Sequence, residues 1–188
     1  MKRITLFLFL FILIANQTSA QESVKLFNSA IAKAQSGDME GAITEFDKCL
    51  AVDAENADAY YWRGLAKAAI GMTNEAISDF GKATKFNPSH AEAFLRRGTL
   101  YNNVGNPQAA LDNLEAAVKL LPNNMDAFLN RGIALANLGQ HERAIADFTK
   151  VLESSKSDDM VYINRGISYR KLEKYDKALE DFSSAIRH

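Results

Sequence analysis

Apolar positions return along this chain in a fixed rhythm. Alanine stands at Ala42, Ala76, Ala110, Ala144 and Ala178, and a large apolar residue follows each four places later, at Phe46, Phe80, Leu114, Phe148 and Phe182. Arg-Gly pairs keep the same step, at Arg63-Gly64, Arg97-Gly98, Arg131-Gly132 and Arg165-Gly166, each 34 residues after the last. Only ten glycines occur in 188 residues, so four in one register mark an internal repeat. Within a unit the pattern predicts two helices. Tyr60, Gly64 and the stem of Lys67 share a stripe, with Ala68 beside it, at the i, i+4, i+7 spacing of an amphipathic helix. Gly71 ends that helix, as Gly105 and Gly139 do in the following units. The second helix carries Ala76, Ile77, Phe80, Ala83 and Thr84 on its apolar side, and Pro88 and Pro122 stop the chain before the next unit. Asn106-Pro107 reads as an N-cap followed by a first-turn proline. Gly64 and Ala76 are small because two helices approach closely there.

Composition strengthens the helical reading. Three prolines, few glycines and abundant Ala, Leu, Glu and Lys favour helix over sheet, and 47% hydrophobic residues suffice for a substantial core. The first twenty residues read differently. Lys2 and Arg3 precede an apolar run from Ile4 to Ala15 and a polar stretch ending in small residues, the layout of a secretory signal peptide cleaved after Ala20. Twelve apolar residues of helix cover about 18 Å, short of the ~30 Å hydrocarbon core, so stable membrane insertion after cleavage is not expected. Gln21 follows the cut, which disfavours a lipid-anchored product. The expected product is periplasmic or secreted, with 20 basic against 23 acidic residues. That balance lacks the basic footprint of a nucleic-acid binder. Cys49 is the lone cysteine, set among Phe46, Leu50 and Val52, and reads as a buried small hydrophobe.

The repeat resembles the tetratricopeptide repeat, whose 34-residue pattern runs aromatic-x2-Leu-Gly-x2-Tyr, Ala-x3-Phe, then Pro. The matching residues are Tyr60-x2-Arg63-Gly64, Phe94-x2-Arg97-Gly98-x2-Tyr101, Phe128-x2-Arg131-Gly132 and Tyr162-x2-Arg165-Gly166-x2-Tyr169. The resemblance implies an exported bacterial protein of all-α class, a right-handed α-solenoid of about five helix–turn–helix repeats. It implies one domain over 21–188 behind a signal peptide at 1–20, with repeats at about 23–56, 57–90, 91–124, 125–158 and 159–188. The first unit departs, with Ser29-Ala30 in place of Arg-Gly. Arginine also stands where leucine is usual. Asp79, Asp147 and Asp181 lie sixteen residues after three of these arginines, with Asn113 after Arg97. Arg63, Arg131 and Arg165 are therefore expected to pair with acidic residues on a second helix, either in their own unit or in the preceding one.

First helices of this family line a concave groove, and the resemblance places two columns of candidates there. One column and the residues four places on from it give Phe27, Tyr61, Leu95, Leu129 and Ile163, then Ile31, Leu65, Thr99, Ile133 and Ile167. These side chains are either an apolar groove floor or packing between adjacent units. The other column, directly before each arginine position, holds Asn28, Trp62, Arg96, Asn130 and Asn164. Asparagine offers a donor and an acceptor to the main chain of an extended peptide. Arg96 suits a carboxylate and Trp62 an aliphatic or aromatic side chain; solvated helix surface is the alternative for the asparagines. The clamp for acidic C-termini known in the family is not expected, because its places hold Tyr61, Leu65, Asp126, Leu129 and Met160. The last unit leaves Phe182, Ala185 and Ile186 partly uncovered, a candidate for self-association through the C-terminal helix or simply a fraying end.

No phosphate loop, HExxH, paired CxxC or Gly-x-Ser-x-Gly motif occurs. His90, His141 and His188 are scattered and expected at exposed turns. Nothing supplies a nucleophile, base and orienter together, so no catalytic residue, metal or cofactor is expected. The expected function is a non-enzymatic scaffold of the cell envelope that binds an extended peptide or partner-protein segment in its groove. The alternative is an assembly subunit acting through its ends or convex surface.

Overall fold

The computed structural model describes residues 2–155 and 158–187, with side chains from Thr18 onward. The expected signal peptide falls mainly on side chains outside that set, and His188 lies outside it altogether. Ten helices and no strands occur among the described residues: α1 (Lys2–Gln35), α2 (Met39–Val52), α3 (Ala57–Ala69), α4 (Thr73–Phe86), α5 (Ala91–Asn103), α6 (Pro107–Leu120), α7 (Met125–Asn137), α8 (His141–Ser154), α9 (Asp159–Lys171) and α10 (Tyr175–Arg187). They form five helix hairpins, the all-α repeat architecture that the 34-residue pattern predicts. Helix α1 runs without a break through Ala20. Among the described residues no helix is long and apolar enough to cross a membrane.

Two compact units result, Met1–His90 and Ala91–His188. In the first, α1 packs on α2, α2 on α3 and α3 on α4, and α1 also touches α3. In the second, each helix from α5 to α10 packs on the next, and α5, α7 and α9 lie side by side in turn.

Local chemistry sets the helix ends. The side chains of Asp38, Asn56, Asn106, Asn124 and Asp158 accept backbone N–H groups in the first turns of α2, α3, α6, α7 and α9, satisfying donors that a helix start leaves free. The turn inside each of the first four hairpins places glycine at positive φ: Gly37 (87°), Gly71 (82°), Gly105 (74°) and Gly139 (75°). The fifth hairpin has Glu173 there, at φ 58°.

Each hairpin closes on the Arg-Gly glycine or its counterpart. A Cβ on Gly64 would lie 2.8 Å from Phe80 Cε1, and one on Gly132 would lie 2.7 Å from Phe148 Cε1. In the four Arg-Gly hairpins the large residue four places after the repeat alanine (Phe80, Leu114, Phe148 or Phe182) occupies the space that the missing Cβ leaves. Phe46, Phe80 and Phe148 are accordingly at most 1% exposed. In the second unit Leu114, Leu135, Phe148 and Val161 centre one continuous core.

Candidate protein-binding surface

The repeated arginines are scaffold. Arg63 Nε and Nη2 donate to Asp79 at 2.8 and 2.6 Å. Arg131 meets Asp147 at 2.8 and 2.7 Å, and Arg165 meets Asp181 at 2.9 and 2.7 Å, in the same two-pronged geometry. The partner thus lies in the same unit, sixteen residues on. The third nitrogen reaches back to the preceding hairpin: Arg63 Nη1 donates to Asp47 at 2.6 Å and Arg165 Nη1 to Thr149 Oγ1 at 3.1 Å. Only Arg63 thus meets an acidic residue in both units; Arg131 and Arg165 pair with the acidic residue of their own. Burial opposes the charge of Arg63, yet its bonds to Asp79 and Asp47 outweigh that and raise its pKa above the ordinary value. Bonds to Asp147 and Asp181 do the same for Arg131 and Arg165 against burial. The third hairpin is the exception. Asn113 turns its amide to the Ala109 carbonyl at 2.7 Å, and Arg97 Nε is buried without an acceptor.

With the arginines held inward, the residue before each one faces elsewhere. In the first unit Trp62 is 40% exposed and borders an apolar hollow with Leu65 and Ile31. Ala34, Gln35, Met39, Ala66 and Ala69 complete its wall. Ala69 lies seven residues after Trp62 and four after Leu65, so helical spacing alone could have placed it there. Tyr61 is absent from that wall. Its ring lies 4.6 Å from His90 and 5.8 Å from Phe80, centroid to centroid, which seats it between the helices of its own hairpin. Asn28 is exposed on α1, in a shallower depression with Val24 and Lys25.

In the second unit the candidate residues separate by depth. Leu95 is 7% exposed and belongs to the core, so it presents no binding surface. Leu129 and Ile133 are half-buried against that core, and Ile163 and Asn164 are half-buried on α9. Arg96 is exposed. Asn130 Nδ2 donates to the Asp126 carbonyl of its own helix at 2.8 Å, while Asn102 Nδ2 reaches the Asn130 carbonyl at 2.9 Å. The Asn130 bond to Asp126 uses one N–H of its amide. Asn102, which the column reading omitted, joins α5 to α7 on this face.

Two histidine expectations fail. The His90 side chain is only 9% exposed and lies 3.4 Å from Asp58, because the Tyr61 ring covers it. His141 is half-buried with Nδ1 unpartnered in the interior. Cys49 is buried and lies 3.4 Å from Ser23 Oγ. Helix α10 exposes Tyr175, Leu179 and Ile186, at 64%, 68% and 86%. Among the described residues no three His, Cys, Asp or Glu side chains converge as a metal site would require.

Comparison with known proteins agrees with the repeat. Four family models match: a TPR repeat at 30–71 and tetratricopeptide repeats at 57–90, 95–159 and 160–188. No curated protein sequence matches the chain. Among solved structures it is similar to YrrB, described as a TPR protein with an unusual peptide-binding site, at 29% identity and TM-score 0.85, covering 92% of this chain and 89% of that one. It is similar to the MamA protein at 26% identity and TM-score 0.82, covering 89% and 92%. MamA 41-end from Desulfovibrio magneticus RS-1, at 22% identity and TM-score 0.80 over 88% and 94%, shares the fold. Over residues 30–90 and 95–188 this chain is built of tetratricopeptide repeats.

Proposed function

We propose that the protein is a non-enzymatic interaction scaffold that holds an extended segment of a partner protein along its first helices. The observation that carries this reading is the exposed Trp62 beside an apolar hollow on α1 and α3. An indole left 40% open to water next to apolar carbon gains most by being covered. The similarity to YrrB, with its peptide-binding site, supports the same reading. So does the inward pairing of the arginines, which leaves the neighbouring column of Asn28, Trp62, Arg96, Asn130 and Asn164 for recognition. The leader-like residues 1–20 support export, which would place the scaffold in the periplasm or outside the cell.

A segment selected from a random peptide library for binding to the protein provides the test. Replacing Asn130 and Asn164 together by Ala is expected to weaken that segment about tenfold, the loss of two hydrogen bonds of ordinary strength, with helix content unchanged. Equal affinity of the double variant and the parent contradicts the asparagine contribution. A second reading, an assembly subunit working through its ends, is favoured by one observation: the exposed Tyr175, Leu179 and Ile186 on α10.

A further inference from the structure

Helix α10 carries on its outer side apolar residues of a kind that the earlier hairpins cover. Leu179 and Ile186 are 68% and 86% exposed. One repeat earlier the same register holds Ile145 and Leu152, and two repeats earlier Leu111 and Val118. All four are buried or half-buried, on helices that a following hairpin packs against. The exposed residues of α10 also fall into two pairs of equal spacing. Leu179 and Ile186 are seven residues apart, two turns along one line of the helix, and Glu180 and Arg187 repeat that spacing directly beside them. Ser183, small and exposed, lies between.

This arrangement is complementary to itself when reversed. An antiparallel copy of α10 brings Leu179 level with Ile186 of the second copy, and Ile186 level with its Leu179. The same alignment sets each Glu180 within two residues, about 3 Å of rise, of the other Arg187. Opposite charges thus meet twice, and the two helix dipoles oppose each other. A parallel copy sets like charge on like. Arg187 donates from Nε to the Ser183 carbonyl and from Nη2 to Ser184 Oγ, at 3.2 Å each, which leaves Nη1 for a carboxylate. Lys177 is turned aside, its Nζ 5.7 Å from the centre of the Tyr169 ring on α9.

We infer that α10 pairs with α10 of a second copy of this chain, antiparallel about a two-fold axis that passes beside Ser183. Leu179 and Ile186 form the seam, and Glu180 meets Arg187 at both ends, the reciprocal contacts that a two-fold interface requires. The inference rests on the second reading above, an assembly subunit working through its ends, and names the surface and the occupant. The contact is one helix wide, so the dimer is weak and dependent on concentration.

A disulfide reads this alignment directly. Ser183→Cys places two thiols side by side at the axis, within bridging distance, while the native Cys49 is buried. The full chain carrying Ser183→Cys is oxidised mildly at low salt, and the covalent dimer is followed on non-reducing gels. Dimer is expected to form, and adding Leu179→Glu is expected to abolish it. Glu180→Arg or Arg187→Glu alone sets like charges together and is expected to slow its formation about tenfold; the two reversals combined are expected to restore it. These positions are exposed, so helix content stays at the parent value in every variant. No covalent dimer from Ser183→Cys, or a yield that Leu179→Glu leaves unchanged, overturns the pairing. Failure of the double reversal to restore the dimer overturns the antiparallel alignment. Sedimentation of the chain without the added cysteine separates this inference from the reading beneath it. A mass above the monomer that Leu179→Glu leaves unchanged overturns the α10 pairing and keeps the assembly subunit, whereas a monomeric mass at every concentration overturns both.

Discussion

Arg63, Arg131 and Arg165 show how a charge is kept inside a helix hairpin. Each guanidinium meets a carboxylate through two parallel bonds, and those carboxylates are only 3%, 7% and 5% exposed. Removing the arginine strands a buried anion. Arg131→Leu is therefore expected to destabilise by about 3 kcal/mol, a fall in melting temperature of about 6–12 °C for a chain of this size. Arg97 supplies the natural control, since Asn113 offers it no carboxylate and its Nε has no acceptor. Asn113→Asp is expected to raise stability by about 1.5 kcal/mol, with denaturant melts of both variants as the measurement. An unchanged or lowered stability of Asn113→Asp contradicts the pairing argument. The raised pKa values keep these arginines charged throughout the neutral range, and what their ionisation contributes is lost only as pH rises through the raised value. No change in these pairs is thus expected across the neutral range. The sixteen-residue offset made the carboxylate legible in the sequence. The second partner, Asp47, lies at the same offset in the other direction, but one sequence cannot say which guanidinium edge a carboxylate will meet. The burial of His90 was illegible for a different reason: it depends on the Tyr61 ring folding back over it.

At the scale of the helices, the glycine that ends each first helix carries much of the prediction. Gly71, Gly105 and Gly139 mark helix ends in the sequence, and each adopts the left-handed backbone that a helix stop requires. The fifth hairpin makes the same turn with Glu173, at φ 58°. A side chain in that conformation costs about 1 kcal/mol, so Glu173→Gly is expected to stabilise the α9–α10 hairpin by roughly that amount. Hydrogen exchange of α10 amides reads the effect locally, and faster exchange in the variant would show that the glutamate is not strained. Helix boundaries were legible where glycine ends a first helix, at Gly71, Gly105 and Gly139, and where Asn106-Pro107 opens a second one. The depth of a first-helix residue was not. Leu95, Leu129 and Ile163 occupy one register, yet Leu95 is buried and the other two are half-buried, because their depth is fixed by neighbouring hairpins rather than by their own helix.

For the molecule as a whole, the repeat explains both what is regular and where recognition can differ from unit to unit. Positions that recur are committed to hairpin closure: the alanine, the large residue after it, the glycine and the arginine. The proposed recognition uses the column that varies, in which tryptophan, arginine and asparagine stand at equivalent places. The central claim is that a partner segment lies on the first helices. Hydrogen exchange of the full chain, with and without a library-selected segment, tests it most directly. Protection of α1 and α3 around Trp62 and of α7 and α9 around Asn130 and Asn164, with the second helices unchanged, is the predicted result. Protection confined to the second helices or to α10 would contradict it.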